Sequence, residues 1–570
     1  MSTYTVNAIK NTTYNNCKNI TSVDLQYIPW VGNSMYYAFI NCSNLQNVTN
    51  INNNVTNMNT TFASCYNLIN APIIPNSVIN MYGTFAYCYN LVNAPIIPNS
   101  VTNMVSTFAN CRNLVNAPII PNSVTNMDWT FSMCSNLVNA PEIPNSVSSM
   151  FGTFNGCSKL VNAPVIPNSV TIMPNTFAYC YNLVNAPEIP NSVTSMPNTF
   201  NSCSKLVNAP VIPNSVTRMY NTFGGCSNLV NAPVIPNSVT EMSGTFKDCI
   251  NLVNVPIIPN SVINMVSTFY NCINLTNTPN IPNSVTNMSY TFYNCKNLVN
   301  APVIPNSVID ASGFIANCPQ FFSLGKYPEI PQSVQRLDRM FEGMTNTETD
   351  VPQWCLDKWN NCSANVKTSM VGMFYNWSRL INAPEIPNSV TNIDLTFGGC
   401  SNLVNAPVIP NSVTNMSITF EHCYNLVNAP EIPNSVTNIY RAFSQCSKLV
   451  KAPVIPNSVK NMDWTFWGCS KLITAPNIPE SVTDMGSGIT GTFSGCRNIT
   501  GNIYIHSKNI DNYQHSCSNV FANTTKTKNV YIPYFYENGV HTKTYNSFTS
   551  GGYDENGTRH GVYLKDLATL

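Results

Sequence analysis

Leu91-Val-Asn-Ala-Pro-Ile-Ile-Pro-Asn-Ser-Val-Thr-Asn-Met-Val-Ser-Thr-Phe-Ala-Asn-Cys-Arg-Asn113 is one copy of a 23-residue pattern that runs through most of the chain. Cysteines stand at 42, 65, 88, 111, 134, 157, 180, 203, 226, 249, 272, 295 and 318, each 23 residues after the last. The register resumes at Cys400, Cys423, Cys446 and Cys469. Trp377 holds the cysteine position one unit before Cys400, and Met344 holds it once more, with three extra residues before it and ten after. Pro-Asn-Ser-Val occurs fifteen times, from Pro75 to Val459. A fixed period of this length means one coil per unit, each coil burying its apolar set against its neighbours. Leu91, Ala94, Ile97, Val101, Met104, Phe108 and Cys111 recur every three or four residues, which predicts an inward lining all round the coil.

The expected fold is a leucine-rich-repeat solenoid of about twenty coils, roughly 100 Å long if coils stack at the ~4.8 Å of paired strands. Two prolines per coil, as in Ala94-Pro-Ile-Ile-Pro98, conflict with a continuous ladder. Very short parallel strands are therefore expected at Leu-Val-Asn-Ala, followed by extended unpaired backbone. A helical or 3-10 turn is expected at Met-x-x-Thr-Phe-x-x-Cys. The predicted organisation is an N-terminal cap over residues 1–41, the solenoid over 42–520 with an insertion at 350–367, and a β-hairpin cap over 521–570.

The repeats resemble the BspA-like leucine-rich repeats of bacterial and protist surface proteins, through Leu…Ile-Pro-x-Ser-Val…Phe-x-x-Cys at the same period, over roughly residues 35–520. Val-Thr-Asn-Met-x-x-Thr-Phe-x-x-Cys also resembles repeats of mycoplasma surface lipoproteins. The resemblance implies a right-handed solenoid and a role in adhesion or protein binding. The stretches Lys528–Gly539, Lys543–Phe548 and Gly561–Asp566 resemble the endings of such proteins in phages and prophages of gut bacteria. Asn538-Gly539 and Asn556-Gly557 read as hairpin turns between β-prone runs.

Charged residues are only 9% of the 570, with a net charge of +1, so the basic stripe that nucleic acid requires is absent. No run of ~18 apolar residues exists for a membrane helix, so no membrane insertion is expected. Met1 to Lys10 lacks the apolar run of ~7–15 residues of a secretory signal, unlike the surface proteins it resembles. The cysteine column reads as buried reduced thiols rather than disulfides, because each would have a neighbour on both sides. Cys355 and Cys362 are predicted on one face of a helix starting after Pro352, too far apart to bridge. That helix reads as amphipathic cover on the solenoid flank, with a local binding site or hinge as the alternative.

No catalytic motif, cofactor site or metal site is read. His506, His515, His541 and His560 lie in the tail, and His515 with Cys517 reads as cap surface rather than a metal pair. Variation between coils is the remaining signal. The residue between Pro and Ile alternates apolar and acidic (Ile96, Glu142, Val165, Glu188, Val211, Asn280, Glu385, Glu431), which predicts solvent exposure. The pair after Met carries Tyr82, Trp129, Phe151, Tyr220, Tyr290, Tyr440 and Trp464, which stacking would align along an edge. Such aromatics suit glycan or protein recognition, and equally suit packing or homo-oligomer contact. The expected role is a non-enzymatic adhesion scaffold. A phage virion component, tail or fibre associated, would meet a host-surface glycan or protein or other virion proteins. The rival is a bacterial cell-surface or secreted adhesin, and an intracellular interaction scaffold is the third class.

Overall fold

The computed structural model describes residues 15–26, 32–320, 327–344, 349–484, 492–500, 503–504, 506, 528–532, 536–537, 540–541 and 562–566. The chain divides into two units, Met1–Ser307 and Val308–Leu570. Both are built from the same coil, a turn of a leucine-rich-repeat solenoid.

In the coil Leu91 to Asn113, six of the seven residues read as inward are buried: Leu91, Ile97, Val101, Met104, Phe108 and Cys111. Ala94 is only half-buried, and Pro98 takes an inward place instead. Fully burying one Phe or Leu contributes about 1.5–3 kcal/mol, so each coil carries its own core. The phenylalanines form a column from Phe39 to Phe292 in the first unit, with ring centroids 5.5–5.8 Å apart in stacked geometry. Phe39 opens this column and Met35 beside it is fully buried, so the coils begin inside the segment expected as a cap.

Adjacent coils meet through single parallel bridges at two places, for example Asn93↔Asn116 and Asn103↔Asn126. The first falls where a short strand was expected; the second was not anticipated. The expected helical or 3-10 turn is not what fills Met-x-x-Thr-Phe-x-x-Cys. There the amides alternate between two partners. Thr107, Ala109 and Cys111 donate to carbonyls three residues back (Met104, Ser106 and Phe108, 3.0–3.1 Å). Ser106, Phe108 and Asn110 donate to the next coil (Asp128, Thr130 and Ser132, 2.6–2.9 Å). This alternation requires left-handed backbone at every fourth residue, Ser106 at φ 55° and Asn110 at φ 62°, which no helix tolerates.

The recurring polar residues are structural. In Pro-Asn-Ser-Val, the Val101 amide closes a turn onto Pro98 (3.0 Å), and Ser100 Oγ donates to the Val78 carbonyl of the preceding coil (2.6 Å). Thr107 is fully buried and donates to both the Met81 and Met104 carbonyls (2.9 and 2.8 Å). Asn113, Asn90 and Asn67 form an amide ladder at 3.1–3.3 Å. Cys111 Sγ donates to the Phe85 carbonyl at 3.1 Å, and the same bond recurs from coil to coil. Among the described residues the thiols in this column are buried and none is joined in a disulfide.

The second unit interrupts the pattern. After Pro352, helix α1 (Gln353–Asn360) buries Cys355 and Trp359, with Cys362 buried just beyond it, and a 3-10 turn follows at Val366–Thr368. Two further strands stand at the N-terminal end of the first unit: β1 (Ser22–Asp24) pairs in parallel with β2 (Asn47–Thr49). In the tail, β4 (Lys528–Ile532) lies in parallel between β3 (Ile503–Tyr504) and β7 (Val562–Asp566). β5 (Tyr536–Glu537) and β6 (Val540–His541) are antiparallel. The longer tail strands are parallel rather than hairpin-paired, whereas β5 and β6 pair antiparallel on either side of the expected Asn538-Gly539 turn. The turn residues Asn538, Gly539, Asn556 and Gly557 lie outside the described residues.

Candidate functional site

Two outward faces carry the variation between coils. On the first, the residue between Pro and Ile projects almost wholly into solvent: Ile96 is 90% exposed and Val165 86%. Proline at either end removes amide donors, and no main-chain bond between described residues joins Ile96 or Ile97 to the next coil. Neighbouring Pro-x-Ile-Pro arms therefore stand apart and leave grooves. One of about 770 Å³ runs past Pro118, Ile119, Pro141, Glu142, Pro164 and Val165. Others lie between the arms at Pro407 and Pro430 and at Pro210 and Pro233.

The second face is the edge after Met. Tyr82, Phe151, Tyr220 and Tyr440 occupy its first position, while Trp129, Tyr290 and Trp464 occupy its second, at φ 55°, 55° and 59°. Large side chains are rarely held in left-handed backbone, so the inter-coil hydrogen bonds impose it here. Tyr82 and Tyr440 are aligned by their amides, each donating to the Asn two residues earlier (3.0 Å). The seven do not form one stripe. Trp129 and Phe151 meet edge to face at 4.9 Å, over Gly152, where a Cβ would collide with the indole. Asp128 accepts from Ser149 Oγ (2.6 Å) and from the Phe151 amide (2.9 Å), fixing that pair. Tyr290 lies against Tyr293 at 5.9 Å. Tyr82 and Tyr220 touch no other ring of the set among the described residues.

Tyr440 and Trp464 are joined by a cation. The Arg441 guanidinium sits 4.8 Å from the Trp464 ring centre and 5.9 Å from that of Tyr440. Its Nε lies 3.2 Å from Glu421 Oε1, which also accepts from Ser444 Oγ at 3.4 Å. Trp464 contacts Trp467 at 5.6 Å. On the same flank, Arg339 pairs with Glu342 at 2.7 Å and lies 5.9 Å from the Tyr375 ring. Burial, then the carboxylates of Glu421 and Glu342, push the Tyr375 phenol above its ordinary value. Burial likewise raises the Asp394 carboxyl, whose Oδ1 finds no hydrogen-bond partner among the described residues.

The sequence reading missed several outward groups. Tyr66 and Tyr89 stack at 4.9 Å with Arg112 over Tyr89 at 4.6 Å; Tyr270 and Tyr293 stack at 4.7 Å with Lys247 at 5.1 Å. Their signal was variation at the positions following Phe and Cys. Among the described residues no group of three His, Cys, Asp or Glu could hold a metal, and no helix is long and apolar enough to cross a membrane. His515 and Cys517 lie outside the described residues.

The BspA type leucine rich repeat region matches six times, over residues 2–115, 81–207, 128–243, 219–346, 368–500 and 417–549. A search of curated proteins finds no match. Among solved structures, a leucine-rich repeat protein from Bacteroides ovatus is 22% identical, with a TM-score of 0.35, 69% of this chain and 91% of that one covered. A leucine rich cell surface protein from Faecalibacterium prausnitzii is 21% identical, with a TM-score of 0.38, 60% of this chain and 91% of that one covered. With its repeat matched across most of its length, this chain belongs to the BspA-type leucine-rich repeat family.

Proposed function

We propose that the chain is a non-enzymatic adhesion scaffold, carried on a phage virion and contacting the bacterial surface. The observation that carries the binding role is the contrast within each coil. Inward residues are nearly copied, whereas the exposed Pro-x-Ile-Pro arms and the exposed or half-buried edge after Met vary among apolar, acidic and aromatic side chains at fixed outward places. A repeated frame with variable outward positions suits recognition of an extended partner: a host-surface glycan or protein, other virion proteins, or a second copy of the chain. The seven edge aromatics, Tyr82 to Trp464, are the proposed contact residues. The likeness of the tail to phage repeat proteins supports the virion.

A bacterial cell-surface adhesin is the second reading, supported by the family's resemblance to bacterial surface proteins. Mass spectrometry of purified virions and of envelopes from uninfected cells separates the two. Recovery from virions is the expected result. Recovery only from the envelope of uninfected cells would overturn the virion placement and leave the adhesin.

A further inference from the structure

We propose that Tyr440, Arg441, Trp464 and Trp467, with Glu421 behind them, form a subsite for a neutral saccharide. This rests on the adhesion reading and names the chemistry of one of its contacts.

Charge is scarce in this chain, at 9% of residues, yet every ion pair between described residues lies in the second unit. A buried ion pair is a weak source of stability, because desolvation offsets the attraction, so its presence calls for another reason. Here the geometry supplies one. The Glu421 side chain is 8% exposed and sits beneath Arg441, whose side chain is 28% exposed. The 3.2 Å contact engages Nε without the alignment of a hydrogen bond. Among the described residues the terminal guanidinium nitrogens find no hydrogen-bond partner, and the group lies beside the half-exposed rings of Tyr440, Trp464 and Trp467.

A rigid donor fork next to aromatic faces fits one ligand type especially well. Sugar rings present a C–H face that packs on indole or phenol, and neighbouring hydroxyls that accept from a guanidinium. The buried carboxylate neutralises the cation, which removes most of the attraction for an anion and favours an uncharged ligand. Ser444, held on Glu421 at 3.4 Å, keeps that carboxylate in place.

The test uses the full chain, titrated with neutral gluco-, manno- and galacto-oligosaccharides and with uronate and sialylated series, followed by tryptophan emission. Saturable binding of a neutral series with a shift in emission is expected. Trp464→Ala should weaken it about tenfold or more, and Arg441→Lys, which keeps the charge over Glu421 but loses the fork, about threefold or more. Lys159→Ala, at an exposed place in the first unit outside the proposed contact residues, should leave it unchanged. Thermal melting of each variant shows that the coil is intact, and Arg441→Lys remains informative if Trp464→Ala does not fold. Absence of neutral binding, preference for the acidic series, or indifference to both variants overturns the proposal. Attachment of the purified chain to intact bacteria is measured alongside. Attachment without sugar binding removes the subsite but keeps the scaffold, and attachment to neither removes both.

Discussion

From Phe39 to Phe292 the first unit keeps one inward set, whereas the second replaces parts of it between Met340 and Trp377. At the cysteine position stand Met344 and Trp377, and at the buried threonine position Met340 and Met373. The bond nevertheless survives. Trp377 Nε1 donates to the Phe341 carbonyl at 2.6 Å, the acceptor that a cysteine would use in a regular coil. The phenylalanine spacing opens to 6.2 Å at Phe341 and Phe374, then returns to 5.8 Å. The frame thus demands a filled volume rather than a particular side chain, with the bond kept where the residue can donate, as Trp377 does and the thioether of Met344 does not.

Alkali should separate the units most. Burial pushes Cys42 up to about 11 and Cys295 to about 12, and likewise raises the thiols from Cys65 to Cys272. Because the folded value lies above the unfolded one of 9.0, the stability these thiols contribute is whole below pH 9.0 and is lost as pH climbs toward the folded values. One unit above that pH, each thiol withholds ~1.4 kcal/mol. Among the described residues, twelve thiols in the first unit and six in the second are raised in this way. Limited proteolysis along a pH series should find the first unit opening earlier, and the opposite order would break the comparison.

Within the uniform unit, Phe154→Ala should cost about 4 kcal/mol, read by denaturant unfolding, because it empties a fully buried place in the column. Trp377→Cys restores the common residue but leaves a void beside Phe374, whose ring the indole meets edge to face at 5.3 Å. A loss of about 3 kcal/mol is expected, and a gain would show that the indole is tolerated rather than required. Thr153→Val removes the 2.9 Å bond to the Met127 carbonyl, which keeps its bonds from Thr130, for about 1 kcal/mol in the same assay. Val165→Glu should shift melting within about 0.5 kcal/mol, since that side chain is 86% exposed and Glu142 and Glu188 already occupy the equivalent place.

The coil was legible because inward periodicity is a direct record of burial: Leu, Ile, Val, Met, Phe and Cys all fall where their spacing put them. The turn region was misread because left-handed backbone leaves little compositional trace. Gly, Asn, Ser, Tyr and Trp all occupy it, and the cost is met by bonds to the next coil rather than by the residue itself. Exposure at Ile96 and Val165 was readable from acidic replacements in other coils. The grouping of edge aromatics was not, since whether Trp129 meets Phe151 depends on side-chain direction over Gly152. Arg441 was invisible for the same reason: its partners stand one coil to either side.

The sameness of successive coils has a consequence for how such a chain changes over generations. Where every junction is alike, recombination that drops or doubles one 23-residue block leaves all remaining junctions as they were. Length is then a quantity that can drift in whole steps, while each step reorders the outward residues against one another. A new arrangement of surface groups arises without any core having to be invented.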